Sequence, residues 1–406
     1  MLFESPGVWW LPRRPERRVA GVFRVRDDGH VEVQLFEALL DDRLAASAEF
    51  DQLHGTIHRS PFPGGTEISH LRGFAIQRAF TSSGGATETL VANRTYLGDR
   101  HVQPTDRFDV FTAELHGLAD WLRGSTIART IAGAESSFSL GPPLEVAAAV
   151  AGCTVRLTKK AHVEASAQRV VLSESAVACL QIDEPTSVDA LVENWLVPLR
   201  ILLSLAIGRV AYVQRLSIVL EPETTWPDEV HDVELWAAAH VRARSETRDP
   251  EPWIPPPRSS EELTALLQRW WGMRTGQRRA IERIFSLWDR PPEYVDTRFI
   301  AYSSAIDLLA RVLHGAPDAA AKVFESLPCG APDALRGVRL FDRWRAARAR
   351  LEDEGYVEGP KLLALCGGLA WVARLTLLAE LGVPLDGVLR SGELRHDVHR
   401  LERAFQ

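Results

Sequence analysis

Cysteine is scarce in this sequence of 406 residues, and the four cysteines lie far from one another. They are Cys153, Cys179, Cys329 and Cys366, with no Cys-x-x-Cys pair among them. This spacing argues against a zinc site and against a disulfide framework, and it suits a reducing compartment. The N-terminus also lacks a basic segment followed by an apolar one, so we expect no signal peptide and a cytoplasmic protein.

Long apolar runs and an excess of positive charge are lacking as well. The longest apolar stretch, residues 196–207, covers about half of a membrane span and contains Pro198 and Arg200. We therefore expect a buried helix there and no membrane contact. The net charge is −7 at pH 7, so a contact with RNA or DNA requires a local basic patch.

Motifs for common cofactors are missing too. The sequence has no Gly-Lys-Ser/Thr phosphate loop, no His-Glu-x-x-His zinc motif and no Gly-x-Ser-x-Gly elbow. His396 and His399 are three residues apart and share one side of a predicted helix, but the pattern offers no third ligand beside them. We therefore predict neither a metal nor a cofactor.

Alternating apolar and polar residues in the first part of the chain predict a β-rich domain. Residues 19–25 and Val31–Leu35 alternate in this way, and Asp28-Gly29 between them predicts a tight hairpin turn. Two adjacent tryptophans, Trp9 and Trp10, come before this hairpin. We expect both to pack in the core, with stacking on a base or a sugar as the alternative. Other predicted strands are residues 74–80, 89–93, 108–112, 154–158, 169–172 and 177–182.

A helix and a proline-rich segment follow the predicted strands. Thr186 and Asp189 form a capping-box pattern, which predicts a helix that ends at Gly208, before a strand at residues 210–220. Prolines then cluster up to a run of three, although residues 228–241 are compatible with a short helix. This change of composition predicts a boundary between domains.

Helical patterns dominate the rest of the chain, beginning with a second capping box at Ser259 and Glu262. We therefore predict the α+β class, with a β-rich domain at residues 1–220, a linker at residues 221–260 and an all-α bundle at residues 261–406. The expected helices are residues 261–272, 277–289, 293–314, 317–327, 332–353, 361–381 and 392–405.

Several phrases in the first domain resemble the N-terminal domain of ApeA-type abortive-infection proteins. One is a Gly-x-Trp-x-Leu-Pro phrase, which begins at Gly7 and includes Trp9 and Pro12. The other similar phrases are residues 53–55, 107–122 and 191–207. Proteins of this type act in bacterial antiviral defence, so the resemblance implies that function and a phage-derived trigger, which the sequence does not name.

The helical half is similar to the HEPN-type domain that accompanies the ApeA domain. Residues 298–307 resemble its first core helix, which usually ends Ala-Leu-Glu, and Asp307 stands at the position of that Glu. Residues 371–384 resemble its last core helix. HEPN domains are often metal-independent endoribonucleases in which an Arg and a His, four to six residues apart, meet at a dimer interface. The resemblance implies RNA as a partner and a homodimer formed through the helical half.

The resemblance also implies catalytic residues. Arg348 stands at the position of the signature Arg, whereas Asp353 occupies the position of the signature His. A cation holds the scissile phosphate and a base takes the ribose 2′-OH proton, so Arg348 would bind phosphate. Asp353, or His396 or His399 near the C-terminus, would transfer protons. The alternative is a bundle that has lost catalysis and serves recognition or dimerisation.

Arginine is concentrated around Arg348, and this cluster predicts a contact with RNA. On a helix, Arg339, Arg343 and Arg350 fall near one face, and Arg345 lies between them. Such a stripe suits the binding of RNA phosphates. The alternative is a solvated helix face whose charges pair with neighbouring carboxylates.

Overall fold

The computed structural model confirms the α+β class. Strands lie between Phe3 and Trp236, and long helices follow from Ser260 to Ala404. The structure describes residues 3–26, 30–40, 49–57, 66–80, 86–98, 101–132, 135–165, 170–220, 231–236, 252–315, 319–328, 330–336, 338–355 and 357–406.

The chain divides into two compact units, which are described separately. The first unit comprises Met1–Ala119, Gly124–Arg200 and Tyr212–Thr247. The second unit comprises Asp120–Arg123, Ile201–Ala211 and Arg248–Gln406.

Six strands of the first unit close into an antiparallel barrel. They are β1 (Phe3–Leu11), β2 (Arg14–Val25), β3 (Val31–Leu35), β4 (Glu49–Ile57), β5 (Thr66–Phe80) and β6 (Ala86–Gly98). The pairing order is β6, β3, β2, β1, β4, β5, and β5 pairs in turn with β6, so these strands form a closed ring. The strand predicted at Val31–Leu35 is confirmed. The predicted turn at Asp28-Gly29 lies outside the described residues.

The same sheet continues from β6 beyond the barrel. Its further strands are β7 (Phe108–Leu115), β10 (Leu144–Val150), β11 (Cys153–Ala165), β12 (Val170–Thr186), β13 (Val213–Leu220) and β14 (His231–Trp236). From β6 the order is β14, β13, β7, β12, β11, β10. The separate hairpin consists of β8 (Ile127–Ala132) and β9 (Glu135–Leu140). The strands predicted at residues 169–172 and 177–182 belong to one strand, because β11 pairs along nearly all of β12.

In the described residues before 210, the helical elements are a short helix and one long helical stretch. After α1 (Leu118–Trp121), α2 (Val188–Leu191) continues through a π-helical turn (Val192–Leu196) into α3 (Val197–Ile207). The helix ends at Gly208, as predicted, and this glycine has a φ of +74°. A left-handed φ is accessible to glycine without strain, which explains the position of the helix end.

Two local predictions in this region are wrong. Thr186 is the last residue of β12, and Ser187 caps the helix instead, since its Oγ accepts a hydrogen bond from the Ala190 N–H at 3.3 Å. Residues 231–236, which were compatible with a short helix, form β14 because they pair with β13. The rest of the stretch 228–241 lies outside the described residues.

The barrel core is organised around Trp9, which is fully buried. On β4, Gly55 lies directly opposite Trp9, and a Cβ on this glycine would come within 2.1 Å of the indole ring. On β2, a Cβ on Gly21 would lie 3.1 Å from the same ring. The indole therefore lies flat on a strand that has no side chain at this point, as in other aromatic–glycine pairs of sheets. Trp10 is also buried, so the expectation of core packing holds for both tryptophans.

We expect Gly55→Ala to lower the free energy of unfolding by about 3 kcal/mol, because the added methyl group cannot fit against the Trp9 indole. Chemical denaturation measures this change. Gly141→Ala is the matched control in the same unit, since the nearest atom to its Cβ would be the Thr126 carbonyl oxygen at 3.6 Å, an ordinary contact distance. Equal stability of the two variants would contradict the close packing of Trp9 on Gly55.

A partly buried ion pair on β11 and β12, between Lys159 and Glu174, binds the neighbouring chain segment. Lys159 Nζ donates hydrogen bonds to the carbonyl oxygens of Ala119 (3.1 Å) and Gly124 (2.8 Å), and it lies 3.1 Å from Glu174 Oε2. The other oxygen of Glu174 accepts hydrogen bonds from Thr126 Oγ1 at 2.9 Å and from Ser125 Oγ at 3.0 Å. Burial raises the pKa of the Glu174 carboxyl, but the hydrogen bonds from the Thr126 backbone N–H, from Lys159 and from the Thr126 and Ser125 hydroxyls outweigh the effect and hold it below its usual value of 4.5.

Because the pKa of Glu174 is lower in the folded state, its carboxylate stabilises the fold above pH 4.5 and loses this effect as the pH falls further. We expect Glu174→Gln to lower the melting temperature clearly at pH 7. The difference from the unmodified protein should become smaller as the pH falls below 4.5. Thermal unfolding followed by circular dichroism tests this. Glu145→Gln, which removes an exposed partner of Arg156, should have little effect on the melting temperature at pH 7 or below pH 4.5. A deficit in Glu174→Gln that does not change with pH would contradict the assignment.

Helices α4–α10 belong to the second unit. They are α4 (Ser260–Asp289), α5 (Val295–His314), α6 (Ala320–Glu325), α7 (Val338–Glu354), α8 (Gly359–Glu380), α9 (Asp386–Leu389) and α10 (Gly392–Ala404). Helix α8 is apolar on nearly all sides and packs against α4, α5 and α10, which makes it the centre of this unit. The cap predicted at Ser259 is confirmed, since its Oγ accepts from the Glu262 N–H at 3.3 Å.

The helix boundaries differ most from the prediction at two places. Residues 261–272 and 277–289 belong to one continuous helix, although Gly272 and Gly276 lie within it. Glycine weakens a helix by roughly 1 kcal/mol per residue, and the buried face of α4, which includes Trp270 and Ile281, offsets this cost. Residues 332–336 form turns, so the helix predicted from 332 begins only at Val338.

In the part of the chain that the structure describes, two helical stretches are long and apolar enough to span a membrane, namely Val188–Ile207 and Gly359–Glu380. Most of each stretch is buried within the protein, as is usual for the core helices of a folded domain. Residues 196–207 therefore form a buried helix, as the sequence predicts.

Candidate functional site in the helical unit

An open cavity of about 500 Å³ lies between α5 and α7. Two acidic side chains, Asp307 and Glu352, and two basic ones, Arg311 and Arg348, line it. Ile300, Leu308 and Leu351 contribute apolar walls. The cavity therefore combines apolar surface with a few convergent charged groups, which is typical of binding sites.

A buried contact sets the spacing of the two helices at this cavity. Trp344 on α7 donates a hydrogen bond through Nε1 to Ser303 Oγ on α5 at 2.8 Å. Ser303 Oγ donates in turn to the Phe299 carbonyl one turn earlier, also at 2.8 Å. Trp344 and Ser303 are both buried. Because each polar group in this contact has a partner, the contact is stable in the apolar interior.

Arg348 lies one helical turn beyond Trp344 and binds two carboxylates. Its Nη1 is 2.6 Å from Asp307 Oδ2 on α5, and its Nε is 3.1 Å from Glu352 Oε1 on its own helix. The hydrogen bond with Asp307 is the main cause that raises the pKa of Arg348 above its usual value. The side chain is nevertheless 43% exposed, so solvent and ligands can reach the guanidinium.

The other predicted catalytic residues lie away from this cavity. Asp353 follows Glu352 on α7 but is exposed and does not line the cavity. His396 and His399 are exposed on α10. His396 Nδ1 is 3.6 Å from Asp397 Oδ1, and Asp397 accepts a hydrogen bond from Trp371 Nε1 at 2.9 Å, which fastens α10 to α8. Within the described residues, the cavity therefore brings together Arg348 and carboxylates but no histidine.

The four arginines predicted to bind RNA divide into two pairs. Arg343 packs over the Phe405 ring at 4.5 Å, and Arg345 lies over the Phe341 ring and 3.9 Å from Asp342. Arg339 and Arg350 are exposed on α7. Packing on aromatic rings leaves an arginine charged, so all four remain sources of positive potential along this helix.

Sequence reasoning did not assign a site role to Asp307 or Glu352. The signal for Asp307 was its position at the end of the first core helix, where the resembling domains have Glu. Its contact with Arg348, which is 41 residues away, is visible only in the fold. Across the residues that the structure describes, we find no group of three or more His, Cys, Asp or Glu side chains that could hold a metal ion.

Comparison with known proteins gives a family match. The model of ApeA N-terminal domain 1 matches residues 4–270, which ends within α4 and before the cavity residues. No curated protein and no solved structure matches the chain. Because the matched region is well over half of the 406 residues, the chain belongs to the ApeA N-terminal domain 1 family, and this membership indicates an antiphage abortive-infection protein.

Proposed function

We propose that this abortive-infection protein acts through its helical unit as a HEPN-like, metal-independent endoribonuclease centred on Arg348. The observation that carries the proposal is the setting of this side chain. Asp307 from another helix holds its guanidinium, and the side chain is 43% exposed at a cavity of about 500 Å³. A fixed, accessible guanidinium is well suited to grip two oxygens of a phosphate.

Cleavage of RNA without a metal requires charge stabilisation and two proton transfers. The 2′-oxygen attacks the neighbouring phosphorus and loses its proton to a base, while the bond to the 5′-oxygen breaks and that oxygen gains a proton. The products are a 2′,3′-cyclic phosphate and a 5′-hydroxyl end. Arg348 would stabilise the charge on the phosphoryl oxygens. Asp353, His396 and His399 remain the candidates for proton transfer, from the same chain or from a second copy.

Further features agree with RNA as the substrate. Arg311 adds a second cation at the cavity, and Arg339 and Arg350 are exposed on the helix that carries Arg348. Such a row of cations suits a polyanion, although the net charge of the chain is −7. We propose that two copies pair through their helical units, that the protein acts in the cytoplasm, and that a phage-derived trigger activates it.

A second candidate function is recognition or dimerisation without catalysis. It is favoured by the cavity lining, which in the described part of the chain contains no histidine, and by the two carboxylates that neutralise Arg348. In that case the helical unit would bind a partner at the same cavity but cleave nothing.

We expect the purified protein to cleave total tRNA or ribosomal RNA in the presence of EDTA, and Arg348→Ala to lower the rate by about 10²–10³-fold. The reason is the loss of the guanidinium that would stabilise the charge on the phosphoryl oxygens at this cavity. Denaturing gels with end-group analysis measure the rate and identify the cyclic phosphate. Arg278→Ala is the matched control, because Arg278 has nearly the same exposure, 44%, and also pairs with a glutamate four residues later.

The outcomes separate the two candidate functions. Loss of cleavage in Arg348→Ala with normal cleavage in Arg278→Ala supports the nuclease. RNA binding without cleavage by the unmodified protein, with and without lysate from phage-infected cells, supports the recognition module. Cleavage that survives in Arg348→Ala would overturn the assignment of this site.

A further inference from the structure

We infer that the two carboxylates bound to Arg348 have opposite effects on an anionic ligand. Asp307 positions the guanidinium for a phosphodiester, whereas Glu352 competes with that phosphodiester for the same edge of the guanidinium. This inference rests on the proposed function, because it concerns the phosphate site of the same cavity.

Asp307 has the geometry of a positioning residue. It lies on α5, opposite Arg348, and its carboxylate is only 25% exposed. The contact between Asp307 and Arg348 lies one turn beyond the buried hydrogen bond between Ser303 and Trp344 on both helices. This buried contact holds the two helices in register, so the carboxylate of Asp307 has little freedom to leave Arg348. A rigid charged partner of this kind fixes the direction of the guanidinium before the ligand arrives.

Glu352 differs from Asp307 in each of these respects. It lies on the same helix as Arg348, four residues later, and its side chain is 67% exposed. Exposed pairs at this spacing contribute little to stability, because water screens the attraction and the side chains lose freedom when they pair. Glu352 can therefore leave Arg348 at low cost when another anion takes its place.

The donors of Arg348 explain why the competition falls on one edge. Asp307 occupies Nη1, and Glu352 occupies Nε. Among the residues that the structure describes, Nη2 has no acceptor. With Nη1 engaged, the edge formed by Nε and Nη2 is the one that offers two parallel N–H groups to a phosphate. Glu352 covers half of this edge, and its negative charge also repels an approaching phosphodiester.

The test measures binding separately from cleavage. The probe is a fluorescently labelled single-stranded RNA with 2′-O-methyl groups, which lacks the 2′-OH nucleophile and cannot be cut by this chemistry. Fluorescence anisotropy gives its Kd for the full-length protein and for Asp307→Asn, Glu352→Gln and Arg348→Ala. Asp342→Asn is the control for net charge, since Asp342 is an exposed acidic residue on the same helix, next to Arg345.

We expect Glu352→Gln to bind the probe about fivefold more tightly, which is the effect of removing roughly one screened charge at contact distance. We expect Asp307→Asn to bind the probe more weakly, because the guanidinium loses the partner that fixes its direction and this loss outweighs the lower repulsion. Asp342→Asn should change the Kd much less. Asp307→Glu keeps the carboxylate and should restore most of the affinity. If Asp307→Asn does not fold, the comparison of Glu352→Gln with Asp342→Asn still decides whether Glu352 competes with the ligand.

Two results would overturn the inference. One is a shift of Asp307→Asn and Glu352→Gln in the same direction, and the other is a change in Glu352→Gln no larger than that in Asp342→Asn. Either result, combined with loss of cleavage in Arg348→Ala, leaves the proposed nuclease intact. Unchanged probe binding and unchanged cleavage in Arg348→Ala would instead remove the proposed function and the inference together.

Discussion

The barrel depends on the fit of one indole ring between strands that carry glycine. Trp9 is fully buried and lies against Gly55 on β4 and Gly21 on β2, while Gly7 on its own strand allows β1 and β4 to approach closely. A shift of one residue in either pairing would bring a side chain onto the ring or turn the ring out of the core. The contact therefore determines the register of β1, β2 and β4, three neighbouring strands of the barrel.

Local patterns in the sequence predict this architecture only in part. Alternation of apolar residues predicts β3, and capping residues predict the start of α4, because both signals arise from neighbours along the chain. The closure of the barrel depends instead on pairing between β1 and β4 and between β5 and β6. Such pairing is decided by packing between distant segments, and a pattern within one segment does not contain it. The same limit explains β14, which is a strand because β13 is beside it.

The candidate site shows the same division between local and distant information. Arg348 could be selected from the sequence, because it stands at the position of the signature Arg of HEPN-type domains. The residues that bind its guanidinium, Asp307 and Glu352, were not selected. Asp307 is 41 residues away, and the helix register that brings it to 2.6 Å depends on the contact between Ser303 and Trp344. The Arg-His signature is defined by spacing along the chain, so it selects Asp353, which stands at the position of the His. The fold instead brings carboxylates from two helices, Asp307 and Glu352, to the guanidinium of Arg348.

The two contacts between α5 and α7 differ in burial. The contact between Trp344 and Ser303 is buried, whereas the contact between Arg348 and Asp307 is partly exposed. The bond between Trp344 and Ser303 is buried, neutral and fully paired, so it holds the helices together whatever happens at the cavity. The ion pair one turn further is partly exposed, and Arg348 Nη2 has no acceptor among the described residues, so the partners of Arg348 can change while the fold persists. Such an arrangement lets the groups around Arg348 change without unfolding of the helical unit. In this structure two carboxylates already neutralise the guanidinium, Asp307 from α5 and Glu352 from α7.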